Sequence, residues 1–167
     1  MPATYDSIAS VLPTTDPTTI VFSSIPATYT DLVLVVTAKV NSGNDIYIRV
    51  NGDTGANYSY TVLTGNGTSA ASARSSNIDY GLIMDYNAVP STDNNHVMTA
   101  HFMNYSNTTT NKTCLSRSNR AAAGVDAVVS LWRSTAAINS LTLRIGSSGT
   151  GTFSTGTVAS LYGIKAA

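Results

Sequence analysis

Apolar residues recur at every second position in one segment after another of this chain. Ile46, Ile48 and Val50 alternate with Tyr47 and Arg49, and Leu141, Leu143 and Ile145 alternate with Thr142 and Arg144. That period sets one side of an extended segment on a core and the other in solvent. Leu32 to Val36 is apolar at every position, which predicts a central strand covered on both faces. The same reading gives strands near Thr4 to Ser10, Thr18 to Ser23, Tyr58 to Leu63, Ile78 to Met84, His96 to Tyr105, Thr113 to Ser118, Ala127 to Arg133 and Thr157 to Ile164. About ten short strands bounded by turn residues are the signature of an antiparallel sandwich or barrel.

The turns between them are explicit. Asn51-Gly52 follows Val50 and supplies the left-handed geometry that tight hairpins demand, and Gly65-Asn66-Gly67 ends the next strand in the same way. Ser69 to Ser76 is small and polar and reads as a surface loop. Gly146 to Gly151 reads as a flexible loop between the last two strands. Ala121-Ala122-Ala123 can support a short helical turn, which Gly124 would end. With no linker-like shift in composition and no internal repeat, residues 1–167 read as one all-β domain.

Composition strengthens this. The chain holds no Glu and no Gln, and all 9 of its acidic residues are Asp, a residue of turns and caps more than of helix interiors. Hydrophobic residues make up 43%, too many for a disordered polar tract. The formal net charge is +0 with 11% of residues charged, so the basic stripe that a nucleic-acid partner requires is missing. Arg117 and Arg120, with Lys112 nearby, form the densest basic group and read as a polar loop carrying a few cations. Near-zero charge gives little protection from self-association and suits a chain that lives in an assembly. No apolar stretch is long enough to span a membrane. The start of the chain lacks the pattern of a signal peptide, so folding in a reducing compartment is expected.

The search for chemistry yields candidates whose plainer readings win. His96 and His101 lie five apart in a strand, so they point to opposite faces and do not share a metal. Cys114, the one cysteine, excludes an internal disulfide and reads as a small buried hydrophobe. Ser147 and Ser148 sit in a glycine-rich loop without the spacing of a nucleophile elbow. Asp79 with Asp85, or Asp45 with Asp53, could approach the separation that glycosidases use, yet each sits beside a turn signal. Asn51-Gly52-Asp53 is too short a fragment to make a calcium loop. Sequons at Asn57, Asn66, Asn104, Asn107 and Asn111 are what chance gives in so Asn/Ser/Thr-rich a chain. Tyr is the enriched aromatic, and Tyr58, Tyr60, Tyr80, Tyr86 and Tyr105 read first as sheet residues and second as a platform for a sugar or a subunit. Trp132 reads as core. Catalytic, cofactor and metal residues are therefore expected to be none, and the binding residues are left open.

Several strings resemble a group of small virion structural proteins of tailed bacteriophages. They are Thr4-Tyr5-Asp6-Ser7-Ile8-Ala9-Ser10, the block from Ile20 to Leu32, the hairpin from Val50 to Ser59, the run from Leu131 to Ile138, and Leu161-Tyr162-Gly163-Ile164-Lys165. They cover the chain from end to end. The resemblance implies a jelly-roll-like β-sandwich without catalytic residues, displayed in many copies on a particle, with Asn51-Gly52 as a turn and Phe22, Leu32, Trp132 and Tyr162 as core anchors. The leading expectation is a capsid decoration or cement protein on the outside of the virion, a homotrimer bound to the major capsid protein and made in the host cytoplasm. The alternative is an adhesion module of a tail or head fibre that recognises host surface glycans, and a glycan-cleaving enzyme is the weaker third.

Overall fold

The computed structural model describes residues 4–41, 44–85, 96–120 and 122–165. Twelve antiparallel strands form two sheets, with no helix among the described residues. In chain order they are β1 (Tyr5–Val11), β2 (Thr19–Phe22), β3 (Asp31–Ala38), β4 (Ile46–Val50), β5 (Tyr58–Gly65), β6 (Ala70–Ile78), β7 (Gly81–Met84), β8 (His96–Phe102), β9 (Lys112–Arg120), β10 (Gly124–Trp132), β11 (Leu141–Ile145) and β12 (Val158–Ile164). The large sheet runs β1-β12-β3-β8-β9-β10-β5-β6 and the small one β2-β11-β4-β7. Their facing sides bury one apolar cluster, so the molecule is an antiparallel β-sandwich.

The period-two segments set that core. Leu32, Leu34 and Val36 of β3 lie at zero exposure and face Ile48, Leu141 and Leu143 of the small sheet within the same cluster. Each such side chain contributes roughly 1.5–3 kcal/mol on burial. A one-residue slip would turn the whole set outward, so the register is firmly fixed. β3 is central, between β12 and β8, but it is not covered on both faces as expected. Val33 and Val35 belong to the outer side of the sheet, where Val33 is buried and Val35 half-buried.

The structure corrects the sequence reading at four further places. Ser69 to Ser76 is not a loop: Ala70–Ile78 is a full strand, in register with β5 from Gly65↔Ala70 to Tyr58↔Ile78. It carries no apolar alternation because only its last residue, Ile78, packs against the core, and the rest of its pattern is almost wholly exposed. The expected strand from Ile78 to Met84 is interrupted, since Ile78 ends β6, Asp79 and Tyr80 turn the chain, and β7 begins at Gly81. Ala122 and Ala123 form a hairpin turn, closed by Ala123 N–H on the Arg120 carbonyl at 2.7 Å, not a helical turn; Ala121 lies outside the described residues. Tyr162 is not a core anchor: it sits half-buried on the outer face, opposite Ser7 and Val33. Phe22, Leu32 and Trp132 are core residues.

The Asn51-Gly52 turn forms as expected, but it carries the chain from β4 of the small sheet to β5 of the large one, so the flanking strands do not pair as a hairpin. Both residues have positive φ, 53° and 67°, and Asp53 N–H closes on the Val50 carbonyl at 3.0 Å. Asn51 does more than turn the chain. Its side chain accepts from Asn139 and Ser140 N–H and donates to the Ala137 carbonyl, tying this inter-sheet turn to the segment before β11.

The small sheet is narrower than the large one, and the large sheet curls past its β7 edge. β10 and β5 thereby cover the far side of β4 and β7, where Tyr47, Leu82, Val62 and Val128 form a second buried cluster flanked by Tyr60 and Tyr80. Gly81 permits the close approach: a Cβ there would lie 3.2 Å from Ile48 and 3.4 Å from Ser130. The edge itself is sealed by side chains. Ser116 Oγ of β9 donates to the Ile83 carbonyl at 2.9 Å, and Ser130 Oγ of β10 donates to the Leu82 carbonyl at 2.5 Å.

Candidate interaction surface

The residues singled out for chemistry are dispersed through this frame, and most are occupied structurally. His96 is buried on the inner side of β8, whereas His101 points outward and binds Asp31 through Nε2 at 2.9 Å, so the two do take opposite faces. Among the described residues no group of three His, Cys, Asp or Glu side chains could hold a metal ion. Cys114 is buried, burial pushes its thiol well above the usual range, and its sulfur receives the backbone N–H of His101, not an imidazole. Ser148 Oγ lies 3.0 Å from Thr150 Oγ1, and the Ser147 carbonyl accepts from Arg144 Nη2. The expected flexible loop is thus hydrogen-bonded, with Gly149 N–H also closing on the Gly146 carbonyl at 3.0 Å.

The carboxylate pairs do not assemble as pairs. Asp45 and Asp53 stand at opposite ends of β4, and Asp79 and Asp85 at opposite ends of β7. Asp53 accepts from Gly55 N–H, Asn57 Nδ2 and Trp132 Nε1. Burial alone would raise its pKa, but these bonds outweigh it and hold the carboxyl below its ordinary value. Asp79 is paired with Arg49. Asp45 and Asp126 behave differently. Burial raises both, Asp85 adds repulsion to each, and Tyr47 donates to Asp45 Oδ2 at 2.5 Å. Asp126 Oδ2 receives Asp85 N–H and Ser118 Oγ, and the Thr64 side chain also hydrogen-bonds this carboxylate.

The tyrosines likewise serve separate ends. Tyr58 and Tyr105 are core residues. The Tyr58 hydroxyl, its pKa pushed up by burial to about 12, accepts from Val50 N–H, and the Tyr105 hydroxyl donates to the Pro26 carbonyl. Tyr60 and Tyr80 flank the second cluster; Tyr86 lies outside the described residues. The polar loop expected at Arg117 and Arg120, with Lys112 nearby, is instead strand β9, in which all three lie; Lys112 starts the strand. It is buried and donates to the carbonyls of Thr110 and Thr135. Burial lowers its pKa.

Among the described residues, the outer face of the large sheet is the broadest surface with few internal partners. Cross-strand register lays it out in rows: Val97, Asn119 and Val125 in one, Thr99, Arg117, Ala127 and Leu63 in the next, and His101, Leu115, Val129, Thr61 and Arg74 beyond. Leu63 is 60% exposed, Val125 57%, Val129 47%, Leu115 44% and Val97 43%. Five large apolar side chains in solvent on one side of adjacent strands make a contiguous patch, which on a soluble protein marks a contact site. Shallow depressions flank Arg117 on both sides, and a third runs beside Arg74. The signal for this face was present in β10, where Val125 and Val129 occupy outward positions of an alternating strand. Arg74 was missed because its strand was read as a loop.

The fold thus defines an all-β protein of two stacked antiparallel sheets whose large sheet, among the described residues, exposes an apolar-studded outer face. No protein-family model matches the chain, and no curated protein matches it.

Proposed function

We propose that the chain is a non-enzymatic structural protein of a bacteriophage virion, a decoration or cement protein that binds the major capsid lattice from outside and stabilises the head. The observation that carries this reading is the outer face of the large sheet, with five exposed Val and Leu side chains beside a core whose polar groups serve packing. Such a protein bridges neighbouring capsid subunits through many modest contacts, and a cyclic homotrimer suits that task. The resemblance of the end-to-end strings to small phage virion proteins points the same way. Densitometry of purified virions against the major capsid protein tests it: hundreds of copies per particle are expected, and a handful would overturn it.

A second reading, an adhesion module for host surface glycans, draws on the half-buried Tyr60 and Tyr80 beside Asp45 and Asp85. Aromatic rings next to carboxylate acceptors are the groups a sugar engages. Glycan binding by the isolated chain without particle incorporation would favour it.

A further inference from the structure

The fold pins three of its arginines to internal partners. Arg49 pairs with Asp79, Arg133 donates to Ser59, Asn77 and the carbonyls of Ala56 and Tyr58, and Arg144 binds the Ser147 carbonyl and lies over the Tyr80 ring. Arg117 and Arg74 are different. Both are exposed on the outer face of the large sheet, and neither meets a carboxylate among the described residues. Arg117 stands within the apolar patch, between Thr99 and Ala127 across the strands and next but one to Leu115 along its own. Arg74 lies opposite Thr61, in the row that contains Val129. Asp31, at the margin of the face, is engaged by His101 and by Asn104 N–H at 2.7 Å.

We infer that this face, from β8 to β6, docks an apolar protein surface carrying carboxylates that meet Arg117 and Arg74. That the surface belongs to a capsid lattice rests on the reading above, whereas its chemistry follows from the face. β9 and β6 are three strand spacings apart, so the two carboxylates stand about 14 Å apart across the strands. Arginine set among apolar side chains is the combination from which interface hot spots are made, because its fork pairs with a carboxylate while its stem packs. Five strands of this length offer roughly 650 Å² of sheet face, approaching the roughly 800 Å² per partner of a specific interface. A second copy presenting the same face would oppose cation to cation, so the occupant is a different, acidic surface.

The test is co-sedimentation of the chain with purified phage heads assembled without it. Arg117→Glu should weaken coating about tenfold or more, Arg74→Glu should weaken it too, and raised salt should weaken the wild type. Val21→Ser, on the exposed side of β2 in the other sheet, should coat as the wild type does. Circular dichroism melts of the arginine variants should match the wild type, since neither side chain has an internal ionic partner. Unchanged coating by the R74E/R117E double variant would overturn the inference and leave the capsid reading standing. Failure of the wild type to coat would overturn both. Concentration-dependent self-association abolished by R117E would replace the acidic partner with a second copy.

Discussion

β7 and β6 are both edge strands, and they solve opposite problems. β7 is four residues long, buried at every position, and its free carbonyls receive serine hydroxyls from the large sheet. β6 is nine residues long, exposed on both faces, and its backbone pairs with β5 alone. An edge is hazardous when its unpaired N–H and C=O groups face solvent over a long, flat run. The fold removes the hazard at β7 by inserting the edge into the concave side of the large sheet. At β6 it leaves Ala and Ser side chains and a single charge, Arg74. One edge is thus part of the core, and the other is available surface.

The contrast can be tested from its strongest side downward. Leu82→Ala should destabilise the protein by about 2–5 kcal/mol in denaturant titrations, because it empties a fully buried site in the second cluster. A cost below about 1 kcal/mol would mean that this cluster is not packed as described. Ser130→Ala should cost about 1–3 kcal/mol, since the Leu82 carbonyl stays buried and loses its donor; a neutral result would show that the edge is not sealed by hydroxyls.

Asp126→Asn should raise the melting temperature at neutral pH. Burial raises the folded-state carboxyl and, with the Asp85 charge, outweighs the hydrogen bonds from Thr64, Asp85 N–H and Ser118 that lower it, so the fold binds a proton at higher pH than the unfolded chain does. Its stabilising contribution is complete below the unfolded pKa and is lost as pH rises through the raised folded value. Asn keeps an acceptor for Asp85 N–H and Ser118 without the charge. The gain from the variant should therefore be larger near pH 7 than near pH 4, and an equal gain at both would contradict the assignment. On β6, Ser72→Ala and Ser76→Ala should stay within about 0.5 kcal/mol of wild type, and a larger loss would mean that β6 is anchored by more than its backbone pairing.

These two edges also mark where the fold is legible in the sequence. Strands whose core side is apolar at every second position, such as β4, β11 and β12, announce themselves, because Ile46, Ile48 and Val50 of β4 alternate with the polar-tipped Tyr47 and Arg49, even though Tyr47 is buried in the second cluster. Apart from Ile78, which packs on the core at its end, β6 buries little, so Ala70 to Asn77 carries no period, and backbone pairing with β5 is what makes that stretch a strand. Gly81 looked like strand interior, although its lack of a side chain is what lets β7 pass close to Ser130. The eight-plus-four division of strands is a matter of connections, which a periodicity confined to each segment does not encode. The interaction face was half legible: Val125 and Val129 stand outward in an alternating strand, but the rows that join them to Leu115, Leu63 and Arg117 arise only from cross-strand register.

Trp132 has a consequence for how the molecule can be watched. It is the one tryptophan in the chain, nearly fully buried, with its indole N–H on Asp53 Oδ2 at 2.7 Å. Tryptophan emission, excited to the red of the tyrosine band, therefore has a single source, located where the Asn51-Gly52 turn closes one end of the sandwich. Trp132 faces Tyr58 in β5, which in turn faces Ile78 in β6, whereas the β5–β6 tip at Gly65 and Ala70 lies opposite Val125 at the far end. Opening of that hairpin from its tip would be optically silent, and the emission would shift only when the disruption reached the Asp53 end. A label-free optical signal thus separates loss of the sandwich from loosening of its most exposed strand.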